Sequence, residues 1–193
     1  MSAINPLEII FDACKATNKR EYPNIEKTLL TVIEFLPKKS KNLSTNFFRK
    51  IFSTSENITL ILLGHLYIER LLNEIITIKY SILNTDDKNI KFNSFYKKIA
   101  FLKKEGVLEV NVADDIITIN ELRNCFAHEL NYQLSSFDLW KLSELKKYRR
   151  EVFEPKNRKL KEIFTRLILK IYFFNLMRNL SSEFRFLHLI NEQ

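Results

Sequence analysis

The sequence predicts an all-helical protein, and three observations support that prediction. Only two of the 193 residues are glycine and four are proline, which leaves little material for the tight turns of a many-stranded sheet. Apolar residues recur at intervals of three and four along most of the chain. Short polar stretches separate these periodic segments. We therefore expect one up-and-down type bundle of about five to seven helices, formed by residues 1–193 as a single domain.

The N-terminal part, residues 4–53, is predicted to form helices that pack on a core at about residues 55–180. The first helix covers residues 4–16. The second begins after Asn24, a favourable N-cap, and its apolar stripe continues until Pro37 ends it. A shorter helix follows, marked by Phe47, Phe48 and Ile51.

The central part is predicted to form two helices separated by the turn NTDDKN. Ser55 or Asn57 can cap a long helix to about Leu83, and because this helix is apolar nearly all round, we expect it at the centre of the bundle. Asn93 or Ser94 opens the next helix, of roughly a dozen residues. Gly106 stands in its C-terminal capping position.

Two further helices complete the predicted bundle. The adjacent acids Asp114 and Asp115 favour a helix start, because carboxylates stabilise the positive end of the helix dipole. A basic segment at 141–161, broken by Pro155, leads to a last helix from about Leu160 that ends in a polar tail. Its stretch IYFFNLM is predicted to be core or dimer interface.

The composition says more about the cellular compartment of the protein than about its activity. The net charge of +8 would suit RNA or DNA, but the general richness in Lys, Asn and Ile makes this only permissive. Cys14 and Cys125 lack a metal-ligand spacing, and no apolar signal core follows the start, so we expect a reduced, cytoplasmic protein. The longest apolar run, ITLILLGHLYI, is about half as long as a membrane span.

The stretch LRNCFAHEL places three polar side chains in the last predicted core helix before the basic segment: Arg123, Asn124 and His128. Asn124 and His128 face the same way on a helix, and a long arginine side chain can reach that face. A guanidinium binds phosphate, an amide positions an oxygen, and an imidazole transfers protons near neutral pH. These groups can support metal-free cleavage of RNA, although one imidazole supplies only an acid or a base, so two copies across a dimer axis are expected.

An arginine, a polar residue, three more residues and a histidine in a helical bundle resemble the HEPN superfamily signature, here Arg123, Asn124 and His128. The resemblance implies a metal-independent endoribonuclease of a toxin-antitoxin or phage-defence system, with its cleft at a homodimer interface, or a bundle that binds RNA without cutting it. An antitoxin or a regulatory protein is then an expected partner.

The upstream layout, GHLYIERLLNEII, FYKKIAFLKKEGVLE and ELRNCFAHEL, is similar to the mannitol-operon regulator (MltR-like) branch over about residues 55–132. This resemblance implies the alternative of a non-catalytic transcriptional regulator that acts through protein-protein contacts. A third reading is a structural subunit of a larger defence complex. HEPN toxins often carry a tyrosine two residues after the histidine, where this chain has Leu130, with Tyr132 two positions further on.

Plainer readings stand beside the catalytic one. The motif can be a solvated helix end at which His128 favours the dipole. Glu69, in the most apolar helix, needs a partner if buried; we expect an arginine, with Arg123 the candidate that it would support, or else exposure beside Arg70 and Asn73. His65 is expected to be a satisfied interior histidine, and we predict no metal and no cofactor.

The basic segment offers a weaker candidate for RNA contact. Aromatic residues interleave its charges, which is typical of surfaces that follow a nucleic-acid backbone, although a charge run is more often a solvated face. The residues singled out for RNA binding are Lys146, Lys147, Arg149 and Arg150.

Overall fold

The computed structural model describes residues 50–82, except 52 and 55, together with residues 92, 94–146 and 158–191. Within these ranges the chain is helical and contains no strand, which confirms the predicted all-α class. The helices predicted before residue 50, and the residues Lys147, Arg149 and Arg150 of the basic segment, lie outside the described residues. The helices are α1 (Asn57–Ile82), α2 (Phe95–Lys104), α3 (Val110–His128), α4 (Ser136–Trp140), a 3-10 helix (Ser143–Leu145) and α5 (Arg158–Asn191).

Helix α1 lies against α2, α3 and α5, as expected for the most apolar helix of the bundle. Glu56 acts as its N-cap: the carbonyl oxygen accepts from the N–H of Leu60 at 3.1 Å, and the carboxylate accepts from the Thr59 hydroxyl at 3.2 Å. Asn57 is therefore the first helical residue rather than the cap. Ser55, the other predicted cap, is not among the described residues.

Helix α2 ends at the predicted glycine. Gly106 has a φ of 68°, a left-handed conformation that glycine adopts without steric cost. Its N–H donates to the carbonyl of Lys103 at 3.2 Å, and the N–H of Val107 donates to that of Leu102 at 2.9 Å. These two bonds form a Schellman motif, which satisfies carbonyls at the helix end.

The predicted start of α3 at the paired acids is wrong. The helix begins at Val110, so Asp114 and Asp115 lie in its second turn. The buried carboxylate of Asp115 instead accepts hydrogen bonds from the backbone N–H of Ser143, at 2.7 Å, and from the hydroxyl of the same residue. Asp115 thus connects the 3-10 helix to α3 through a tertiary contact instead of capping the helix start.

Helix α5 supplies much of the core and packs most extensively on α1. The side chain of Phe173 is fully buried, and its ring lies against the backbone of Gly64 on α1. A Cβ at Gly64 would overlap this ring, so the glycine permits the two helices to approach closely. The stretch IYFFNLM is core over most of its length, as predicted. The helix also continues to Asn191, through the residues expected to form a polar tail.

Candidate functional site

The three motif residues occupy the C-terminal end of α3. His128 is the last helical residue and its side chain is exposed, while Arg123 and Asn124 are partly buried one turn earlier. His65 of α1 contacts Asn120, and Ile58 lines the same cavity as Phe126, so α1 and α3 run antiparallel beside the motif. The first turns of α1 therefore flank the candidate site.

A hydrogen bond joins two of the motif side chains. The Nη1 group of Arg123 donates to Oδ1 of Asn124 at 3.0 Å. Arg123 and His128, five residues apart, diverge on an ideal helix, whereas Asn124 and His128 share a face. The bond joins the guanidinium to a side chain on that face. That Arg123 also reaches His128 stays a prediction.

Glu69 does not form the predicted ion pair with Arg123. Its carboxylate accepts from the ammonium of Lys98 on α2 at 2.7 Å, in a partly buried pair. The hydrogen bond from Lys98 lowers the pKa of Glu69, burial opposes this, and the charges of Lys98, His65 and Arg123 lower it further. Lysine reaches the acid because α2 packs beside α1. Arg123 acts on Glu69 only through its charge.

His65 is a satisfied interior histidine, as predicted. Its ring is buried, Nε2 lies 2.9 Å from Oδ1 of Asn120, and the ring of Phe95 packs against it, tilted by 31°, at a centroid distance of 4.7 Å. Burial lowers the pKa of His65. The Asn120 bond and the charge of Glu69 oppose that shift, while the charges of Arg123 and Lys98 add to it. The pair joins α1 to α3 about one turn before Arg123.

We expect the stability of the protein to decrease with acid because of His65. Its folded pKa lies below the unfolded value of 6.5, so below about pH 6.5 the unfolded state binds more protons. The stabilisation from uncharged His65 is complete above about pH 6.5. It is lost as the pH falls from there towards the lower pKa of His65 in the folded state. Urea unfolding at about pH 7.5 and about pH 5.5 measures the loss.

The control for this prediction is His65→Gln, in which a neutral amide can still bond to Asn120. The variant should lose less stability than the parent between the two pH values. An identical loss in both proteins would assign the acid sensitivity to other groups.

The loop after α3 is fixed by Asp138. Its carboxylate accepts from the backbone N–H of Ser135 at 2.9 Å, and its own backbone N–H donates to the Ser135 hydroxyl oxygen at 3.2 Å, which together form a capping box on α4. The carboxylate also accepts from the Ser135 hydroxyl. The side chain of Tyr132 also bonds to Asp138. Burial raises the pKa of Tyr132, and this hydrogen bond raises it further. The Tyr132 ring meets Phe126 edge-on at 4.8 Å. The backbone that follows His128 is thereby held in place.

These bonds also affect Asp138 itself. Burial alone would raise the pKa of its carboxyl, but the bonds from Ser135 and Tyr132 and the charge of Lys141 outweigh it, and the pKa is lowered. Sequence reasoning missed α4 and its cap. The serine at 135 followed by an aspartate three residues later was the available signal.

An apolar stripe is exposed on α1 beside the motif. Ile58, Leu62 and Leu66 stand four residues apart on one face, and Leu66 is 62% exposed. Leu130, two residues after His128, is fully exposed. Lys146, the described member of the basic set, is exposed just beyond the 3-10 helix. Its role in RNA binding stays a prediction.

Within the described ranges, no three His, Cys, Asp or Glu side chains lie close enough together to hold a metal ion. No helix there combines the length and hydropathy that a membrane span requires. Cys125 is a partly buried free thiol. Comparisons of the chain with protein-family models, curated proteins and solved structures find no match.

Proposed function

We propose that this protein is a HEPN-type endoribonuclease that cuts RNA without a metal ion. Arg123 binds the scissile phosphate, Asn124 positions it, and His128 acts as general acid or base. The observation that supports the proposal is the Arg123 to Asn124 hydrogen bond, which joins the guanidinium to a side chain on the face that His128 shares. This face is accessible, since His128 is exposed at the end of α3.

The proposed enzyme acts as a homodimer. Cleavage by attack of the 2′-hydroxyl needs a base for that hydroxyl and an acid for the leaving oxygen, and one imidazole supplies one of these at a time. A second copy supplies the other. The apolar stripe Ile58, Leu62 and Leu66 flanks the motif and is a suitable contact surface, because adjacent exposed apolar side chains favour association.

The purified protein should cleave single-stranded RNA in excess EDTA and leave 2′,3′-cyclic phosphate ends. Attack by the adjacent hydroxyl produces such ends, whereas a metal-activated water does not. The products are resolved by gel electrophoresis and mass spectrometry. Absence of cleavage across a broad panel of RNAs, or cleavage only with added Mg²⁺, would refute the proposal.

The alternative is a non-catalytic MltR-like regulator. The same exposed stripe on α1, with Leu130 nearby, favours it, because this surface can bind a different protein as well as a second copy. A regulator would associate with a partner protein and would leave RNA intact. Substitution of Leu66 by Asp would then disrupt the heterologous complex.

A further inference from the structure

A cavity lies beside the N-terminal turns of α3, at the opposite end of this helix from Arg123, Asn124 and His128. It is bounded by α3, the 3-10 helix and the middle of α5, and its volume is about 270 Å³. Asp115 lines it, eight residues before Arg123. Because an α-helix rises about 1.5 Å per residue, these two positions are about 12 Å apart along the helix axis. The cavity is therefore separate from the proposed catalytic site, and a ligand in it would bind whether or not the protein cuts RNA.

The carboxylate of Asp115 has one oxygen left for a ligand. The residue is only 5% exposed, and its Oδ1 accepts both the N–H and the hydroxyl of Ser143. Oδ2 accepts no hydrogen bond from the residues that the structure describes, yet it is not sealed off from the surface. Since Asp115 forms part of the cavity wall, Oδ2 is the atom that it offers there. A nearly buried anionic oxygen without a donor is costly, and a ligand that donates would remove this cost.

The other polar groups of the cavity also favour a cation. Glu109, six residues before Asp115, lines the cavity with an exposed side chain that makes no capping bond. Asn111 and Asn179 add amide oxygens that can accept. No lysine, arginine or histidine is among the described residues of the cavity wall. The N-terminus of α3 contributes about half a positive charge, which two carboxylates outweigh.

The apolar groups of the cavity favour an organic cation over a metal ion. Val112, between Glu109 and Asp115 on the helix, lines the cavity together with Leu176 and the ring of Tyr172. An alkyl chain would remove this apolar surface from water, whereas a hydrated ion would not. The described part of the chain also holds no group of three acidic, His or Cys side chains that could bind a metal ion.

The spacing of the two carboxylates suits a ligand with two positive charges. Glu109 and Asp115 are about 9 Å apart along the axis of α3, with Val112 between them. The cavity is somewhat smaller than the sites of drug-sized ligands, so its occupant is a small molecule. We propose that the cavity binds a short aliphatic diamine, with one ammonium group on Oδ2 of Asp115 and the other beside Glu109.

Calorimetric titration with 1,4-diaminobutane at low ionic strength tests this proposal. The diamine should bind about tenfold more tightly than butylamine, which has one ammonium group, and than tetramethylammonium, which has a charge but no N–H. NMR signals of the methyl groups of Val112 and Leu176 should shift on binding. No binding of the diamine, equal affinities for the three cations, or tighter binding of Mg²⁺ than of the diamine would overturn the proposal.

Three variants make the assignment specific to the cavity. Asp115→Asn should weaken diamine binding about tenfold or more, while its remaining oxygen still accepts from Ser143 and keeps the 3-10 helix attached. Glu109→Gln, a change to an exposed side chain, should also weaken binding without affecting the fold. Asp114→Asn removes the same charge from an exposed neighbour and should leave binding unchanged. Equal weakening in all three variants would indicate diffuse attraction to the acidic surface and would contradict the proposal, as would unchanged binding in the first two.

Discussion

Replacement of His128 by alanine should lower the rate of RNA cleavage by about 10²–10⁴-fold, the usual contribution of a general acid or base. The folded structure should persist, because the side chain is exposed at the end of α3 and supports no packing. A fluorescent RNA substrate in EDTA measures the rate, and thermal unfolding checks the fold. Asn131→Ala, an exposed change three residues further on, serves as the control and should retain full activity.

Mixed dimers test whether two imidazoles act together. When His128→Ala protein is co-refolded with the parent in increasing proportion, activity per total protein should fall as the square of the parent fraction. This dependence arises because only dimers with two imidazoles would be active. A linear decrease would mean that each subunit works alone, which would contradict the composite site. Undiminished cleavage by the His128→Ala protein alone would remove the catalytic assignment altogether.

Gly64→Ala should destabilise the protein by about 1–3 kcal/mol, the typical cost of overpacking a core. Alanine favours a helix over glycine by about 1 kcal/mol, so helix propensity alone predicts the opposite sign. The added methyl group would overlap the ring of Phe173, which is fully buried and enclosed by the core. Urea denaturation measures the change in the free energy of unfolding.

A second substitution separates overlap from other effects of Gly64→Ala. Phe173→Leu makes room for the methyl group, so the double variant should be less destabilised than the sum of the two single variants. Simple additivity, or a stabilising effect of Gly64→Ala, would show that the ring does not restrict this position. Gly106→Ala is a comparison of a different kind, since no atom lies near its added Cβ and its cost would come from the backbone φ of 68° alone.

The sequence predicted the bundle because its helices carry local signals. The apolar run of α1 and the glycine that ends α2 could be read without knowledge of their neighbours. The predicted start of α3 was wrong because the carboxylate of Asp115 accepts a hydrogen bond from Ser143, which lies 28 residues later. The prediction that Arg123 pairs with Glu69 was wrong for a similar reason. Any nearby cation can satisfy a carboxylate, and packing of α2 on α1 selected Lys98.

The candidate site was predicted as a set of residues but not as an arrangement. Arg123, Asn124 and His128 could be named from their types and spacing. The cavity that Ile58 and Phe126 line could not, because these residues come from helices whose juxtaposition no local pattern encodes. The bond between His65 and Asn120 joins residues 55 positions apart and is equally invisible in the sequence.

The hydrogen bond between Arg123 and Asn124 also fixes the polarity of the asparagine. Because Oδ1 receives the guanidinium, the amide nitrogen of Asn124 is the end that remains for a ligand, and it carries two N–H groups and no lone pair for accepting. The two side chains together therefore present more donors than acceptors, since only the second lone pair of Oδ1 can still accept. We expect such a surface to favour anionic oxygens over hydroxyl hydrogens, and therefore to bind a phosphate diester more tightly than a neutral ligand.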